Sequence, residues 1–312
     1  MNEFTMLRTL REEVPAPTSD QLAPAFGRLE AAMDQKAVRR HAPRARWVLA
    51  VAGGAVVLAL VAGNVAVSAQ SAAAASLLRA TAGSVRFVDP VPGPGQFLLS
   101  HTHANWMVSS QDSNGNVTTG HNEQIIDVYV PGDPSAEWVL YRDWGSLRGV
   151  NGTGSKETMM AKAGEFYGDP WLTQDMDAIP KGGAAALAHF DAEYSGGSAS
   201  RDEDNFVRIV DLLRSGLVPA ELRATLFEAL ALVPGVTSTA DVENLDGKTG
   251  VAIGRTELLR AGMRQEIIID PDTGLVIGER AVSTFAVFGF GFNEVVSLTA
   301  VDTSVTDTAP AP

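Results

Sequence analysis

Residues Trp47–Val67, WVLAVAGGAVVLALVAGNVAV, are 21 consecutive positions without a charge. Wound as an α-helix, such a run is about 30 Å long, the thickness of a bilayer's hydrocarbon core. Arg44 and Arg46 lie just before it, Lys36, Arg39 and Arg40 extend the basic flank, and no charge follows until Arg79. Trp47 falls where an interfacial aromatic belongs. The positive-inside rule then puts residues 1–46 in the cytoplasm and residues 68–312 outside. A cleaved signal peptide is the main rival, since Val67-Ser68-Ala69 has small-residue cleavage character. However, a 46-residue leader and an apolar run of this length both exceed signal-peptide proportions. A buried core helix is the other rival, and charge-free runs this long are rare in soluble domains. Gly53, Gly54, Ala59 and Gly63 form a small-residue face of the kind that lets membrane helices pack closely.

The charge distribution supports this division. The first 46 residues carry eight Lys/Arg against six Asp/Glu; the remainder carries sixteen against thirty-one, so the net charge of −13 belongs to the outer part. An acidic bulk of this kind argues against direct nucleic-acid binding, which wants clustered cations. There is no cysteine, which excludes disulfides, thiolate catalysis and Cys-based zinc sites.

In the cytoplasmic segment Phe4, Leu7, Leu10 and Val14 recur at helical spacing and stop at Pro15-Ala16-Pro17. A second helix reaches about Arg40, with Phe26, Leu29, Ala32 and Met33 on one face. It starts either at a Thr18/Gln21 capping box, with Pro24 kinking it, or at Pro24 itself. Two short amphipathic helices have too little core to fold alone. Their apolar faces call for the bilayer surface, a second copy or a cytoplasmic protein groove. Phe4, Leu7, Leu10, Phe26 and Leu29 are the expected partner-binding residues.

Residues 68–84 read as a juxtamembrane linker and helix, residues 85–304 as the external domain, and residues 305–312 as a disordered tail. VDPVPGPG at 88–95 breaks the helix. Strands are expected at 96–109, 123–130 and 136–143, separated by the turns DSNGN and PGDPS. Residues 144–170 read as Gly-rich and irregular. Helices follow at 181–194, 202–215 and 219–232, with Gly216 as a stop and Pro219 in a first turn. Strands return at 237–244, 250–257, 265–269, 275–284 and 293–301, with the turn Asp270-Pro271-Asp272-Thr273-Gly274 before the fourth. Strands, helices, then strands, without βαβ alternation, predict an α+β domain whose antiparallel sheet has helices over one face.

Histidines 101 and 103 fall on one face of the first strand, the spacing of a metal pair, but no third ligand is evident. Asp270–Gly274 lacks the ligand spacing of a calcium loop and reads as a tight turn. No G-x-S-x-G, H-E-x-x-H, Walker A or dinucleotide fingerprint occurs. No catalytic, cofactor or metal residue is therefore assigned, and no enzyme is expected.

The stretches LRTLREEVPAP, ASLLRATA, PGPGQFLLS, LFEALALVPGV and IIIDPDTGLVIGE, together with the basic-flanked apolar run, resemble an actinobacterial family of single-pass membrane proteins of unassigned function. Its members are often encoded beside extracytoplasmic-function sigma factors. The outer domain also resembles the LolA/RseB class, a curved antiparallel sheet over helices that binds lipid or peptide. The resemblance implies a membrane-anchored, anti-sigma-like signalling regulator with a cytoplasmic sigma-factor partner and an unknown external ligand. The alternative is an envelope lipid- or peptide-binding module for which the N-terminus is only an anchor.

Overall fold

The structure, a computed structural model, describes residues 54–311 except 86–88, 112, 114, 116, 149–153, 169–175, 197, 258–259, 261 and 286–289. Side chains are described from residue 69 onward, outside 109–111 and 117. The expected cytoplasmic helices, with Phe4, Leu7, Leu10, Phe26 and Leu29, lie outside the described residues, as do positions 47–53 of the apolar run.

One helix, α1 (Gly54–Ser84), runs without a break through the rest of the apolar segment and the expected linker. Ala74, Leu78, Thr81, Ala82 and Val85 are buried, and their spacing places them along one stripe of a 3.6-residue helix. Leu78, Ala82 and Val85 belong to the main core of the domain. The end of α1 is therefore a docked element of the fold.

Among the described residues nine strands form a single antiparallel sheet in the order β4-β3-β2-β1-β9-β8-β7-β6-β5. They are β1 (Phe97–Gln111), β2 (Val117–Pro131), β3 (Glu137–Asp143), β4 (Lys156–Lys162), β5 (Thr237–Glu243), β6 (Thr249–Glu257), β7 (Met263–Ile269), β8 (Val276–Ser283) and β9 (Glu294–Thr306). The helices α2 (Gly183–Ala192), α3 (Arg201–Leu213) and α4 (Ala220–Leu230) come between β4 and β5. With α1 they make an α+β domain, as the run of strands, helices and strands predicts. Phe190, Phe206, Ile209, Leu213, Leu226, Phe227 and Leu230 fill the main core against Ile253, Ile267 and Ile269 of the sheet.

Three expectations are corrected. Residues 144–170 are not irregular throughout: β4 pairs along all of β3, from Glu137↔Lys162 to Asp143↔Lys156. KETMMAK carries no clear alternation because it is an edge strand, with none of its residues fully buried. The tail does not begin at 305, since Val305 and Thr306 pair with Leu98 and Phe97. Finally, β2 starts at Val117 and not at 123, and pairs with β1 over its whole length, from Phe97↔Pro131 to Gln111↔Val117.

Local signals explain the helix ends. Ser200 accepts from Glu203 N at 3.0 Å while the Glu203 carboxylate accepts from Ala199 N at 2.6 Å, a capping box that starts α3. Gly216, at φ +70°, ends that helix, and a Cβ there would lie 2.8 Å from Ser100 Oγ. Only glycine allows the chain to turn this close to the sheet.

The second half of the sheet is buried on both faces. Ile253, Ile267, Ile269 and Val276 face the helices, whereas Val242, Ala252, Ile268 and Ile277 make a separate cluster. The β5–β6 turn reaches back over the sheet: Asn244 Nδ2 donates to Ile277 O at 2.6 Å and Leu245 N to Thr299 O at 3.2 Å.

Candidate functional site

Where α1 ends, the chain is fastened to α4. Asp89 Oδ2 accepts from Ala220 N at 2.6 Å, satisfying a free donor in the first turn of α4, and Asp89 Oδ1 accepts from Arg223 Nη2 at 2.8 Å. Arg223 is almost fully buried and also donates to Val218 O at 2.8 Å. Thr81 and Val85 pack against the β7–β8 turn at Gly274, whose φ is +67°. The expected Asp270–Gly274 turn is thus present and is also the seat of the end of α1. A cleft of about 230 Å³ opens beside this junction, lined by Pro90, Val91, Leu98, Leu217 and Leu275.

A second cleft, about 190 Å³, lies between the helix-facing side of β1 and the end of α3. Ser100, Thr102 and Trp106 project into it from alternate positions of β1, with Ile126, Val128 and Val301 from the flanking strands. At its polar side Arg214 stands 3.5 Å from Glu279 and 3.1 Å from Asp211. Burial pushes both carboxyls above their ordinary range, with Arg214 opposing the effect. Pockets that enclose a drug-sized ligand run from about 300 to 1,000 Å³. Each cleft therefore has room for one apolar side chain or a short hydrocarbon segment.

The opposite face of β1 carries His101 and His103, side by side as the period of a strand requires. His101 Nδ1 lies 2.5 Å from Asp127 Oδ1, and His103 lies 2.8 Å from Glu123 and 2.7 Å from Asp246. Asp246 belongs to the β5–β6 turn, so His103 pins that turn to β1. The hydrogen bond to Asp127 raises the His101 pKa against the effect of burial. For His103, burial is outweighed by the two carboxylates, and the pKa is again raised. Both ring nitrogens of His103 face carboxylates, a setting for an imidazolium. Among the described residues no group of three or more His, Cys, Asp or Glu is arranged to hold a metal ion.

The structure brings none of the five expected partner-binding residues into view, because all lie outside the described residues. Arg214, Glu279 and Trp106, and the Asp89–Arg223 pair, were not singled out from the sequence. Asp89 and Arg223 are 134 positions apart, and no local pattern announces such a contact. Among the residues whose side chains are described, no helix is long and apolar enough to cross a membrane. The fold and these junctions define an α+β domain with an N-terminal helix built into its core. Comparison with family models, curated proteins and solved structures finds no match for this chain.

Proposed function

We propose that this protein is a membrane-anchored signalling regulator, anti-sigma-like in its cytoplasmic part, with an external sensing domain. The observation that carries the reading is the continuity of α1, which leaves the apolar run and ends with Leu78, Ala82 and Val85 in the domain core. A helix fixed in this way moves with the domain, whereas a simple anchor needs only a flexible tether. A change at the β7–β8 turn, where Thr81 and Val85 pack on Gly274, then reaches the membrane helix directly through α1. The basic flank, the charge-free run 47–67 and the two apolar faces within residues 1–46 support the same topology. The partner of those faces is a sigma factor in this reading, held by Phe4, Leu7, Leu10, Phe26 and Leu29.

The finer fold is of the LolA/RseB kind, a sheet curved over its helices. Support comes from the β5–β6 turn, which reaches β8, β9 and β1 across the outer face. The second reading, an envelope lipid- or peptide-binding module, is favoured by the apolar cleft at Trp106. Capture experiments separate the two. Full-length protein is used as bait on a lysate of its source cells, and sigma subunits are identified by mass spectrometry. The signalling reading expects recovery by the wild type and a loss of tenfold or more for Leu7→Ala with Leu29→Ala, in line with about 1–4 kcal/mol per apolar anchor. Equal recovery by both proteins, or by a chain with residues 1–40 scrambled, supports the module.

A further inference from the structure

The β5–β6 turn, residues 244–248, folds back onto the outer face of the sheet and is fastened at its root and at its tip. At the root, Asn244 Nδ2 donates to Ile277 O at 2.6 Å and Leu245 N to Thr299 O at 3.2 Å. Gly278 of β8 has no side chain where the turn rests, since a Cβ there would lie 3.0 Å from Asn244 Cβ. The fastening at the tip is ionic. Asp246 Oδ1 lies 2.7 Å from His103 Nδ1, and His103 Nε2 lies 2.8 Å from Glu123 Oε1. The surrounding charge is one-sided. His101 stands opposite Asp127 of β2 and Asp302 of β9 in the ladders, so four carboxylates (Glu123, Asp127, Asp246 and Asp302) gather around two imidazoles. The nearby cations are engaged elsewhere: Lys248 of the turn lies 3.5 Å from Asp270, and Arg280 of β8 donates to Glu266.

We propose that the β5–β6 turn is an acid-closed latch, lying on the sheet while His103 is an imidazolium and lifting when that proton is lost. The proposal does not depend on the membrane-anchored reading. An imidazolium donates from both ring nitrogens, whereas a neutral imidazole has one donor and one acceptor. Neutral His103 therefore turns a lone pair toward one of its two carboxylates. As the histidines lose their protons, the four carboxylates also repel one another with no cation between them. Glu123 and Asp127 belong to β2, which is paired on both sides, and Asp302 belongs to β9, which is also paired on both sides. Asp246 is carried by a turn, so it is the backbone of the turn that gives way. Burial alone would lower the His103 pKa, but the hydrogen bonds to Asp246 and Glu123 outweigh it, so the latch opens above the ordinary value of 6.5. Lifting withdraws Leu245 from the wall of a cleft of about 210 Å³ that it shares with Asn105, His121 and Leu298. The outer face thus opens as pH rises.

The Leu245 amide reports the state of the latch, because its acceptor, Thr299 O, is on the sheet. Hydrogen exchange of the full chain in detergent micelles is followed at pH 6 and pH 8.5 by mass spectrometry with electron-transfer fragmentation, and each rate is divided by its intrinsic value at that pH. The Gly132 amide, which donates to Gln96 O at 2.9 Å in a turn far along the sheet, is the control. Leu245 is expected to be at least tenfold less protected at pH 8.5 than at pH 6, with Gly132 changing less than twofold. His103→Gln and Asp246→Asn should each abolish the step. Equal protection of Leu245 at the two pH values overturns the latch, as does a step that persists in His103→Gln. A Gly132 change as large as that of Leu245 assigns the effect to general loosening of the domain and also overturns it.

Discussion

Asp89 accepts a hydrogen bond from Arg223 at 2.8 Å with one carboxylate oxygen and caps the start of α4 with the other. One side chain thus fixes both the end of the α1 junction and the orientation of the helix that fills the centre of the core. Removing it leaves a buried guanidinium without its counter-ion and a helix without its cap.

Asp89→Ala is expected to destabilise the external domain by about 2–4 kcal/mol, the sum of a lost cap and a broken, partly solvated pair. Arg223→Met keeps the cap and should cost less. Urea unfolding of both single variants and the double variant measures the coupling. An additive cycle would remove Asp89–Arg223 from the account of the junction.

Leu78→Ala empties a fully buried site on α1 and is expected to cost about 2–5 kcal/mol. The informative comparison is with Ala80, which is exposed on the same helix. Ala80→Ser should shift the thermal midpoint of unfolding little. A Leu78→Ala effect no larger than that of Ala80→Ser would mean that α1 is not docked in solution.

Gly274→Ala forces a side chain into the left-handed region, at φ +67°, and against Val85 and Thr81. The backbone term alone is about 1 kcal/mol, and the contact with α1 adds to it. A loss of about 2 kcal/mol or more is expected in denaturant unfolding. Val85→Ala in the same chain should recover part of the loss if the contact is real.

The histidine face predicts a pH dependence. His101 and His103 have folded pKa values above their ordinary value. Their contribution is therefore fully present below about pH 6.5, the unfolded value, and is lost as pH rises through the folded pKa. The raised carboxyls of Glu279 and Asp211 act in the same direction, their contribution falling as pH rises above the ordinary carboxylate range. The domain should melt at a higher temperature near pH 6 than near pH 8.5, and His103→Gln should flatten that difference. A midpoint that rises between pH 6 and 8.5 would contradict the pairing with Glu123 and Asp246.

Much of this fold is legible in the residues. The turn at 270–274, Gly216 as a stop and the three central helices all follow from local chemistry. β4 was hidden because an edge strand buries too little to impose alternation. The docking of α1 was hidden because Ala74 and Ala82 bury a small surface, giving a weak amphipathic signal. The clefts at Trp106 and Leu217 depend on residues brought together from distant strands and helices, and on the Asp89–Arg223 contact across 134 positions. Periodicity reports which face of an element is apolar but not which element covers it.

The central claim is a chain with its N-terminus inside the cell and its sheet domain outside, joined by one helix. It is tested most directly by a membrane-impermeant maleimide applied to intact cells, with single cysteines at Arg40→Cys and Ser135→Cys in this otherwise cysteine-free chain. Residue 135 is predicted to be labelled in intact cells and residue 40 only after lysis. Labelling of residue 40 in intact cells, or protection of residue 135 until lysis, would contradict the account.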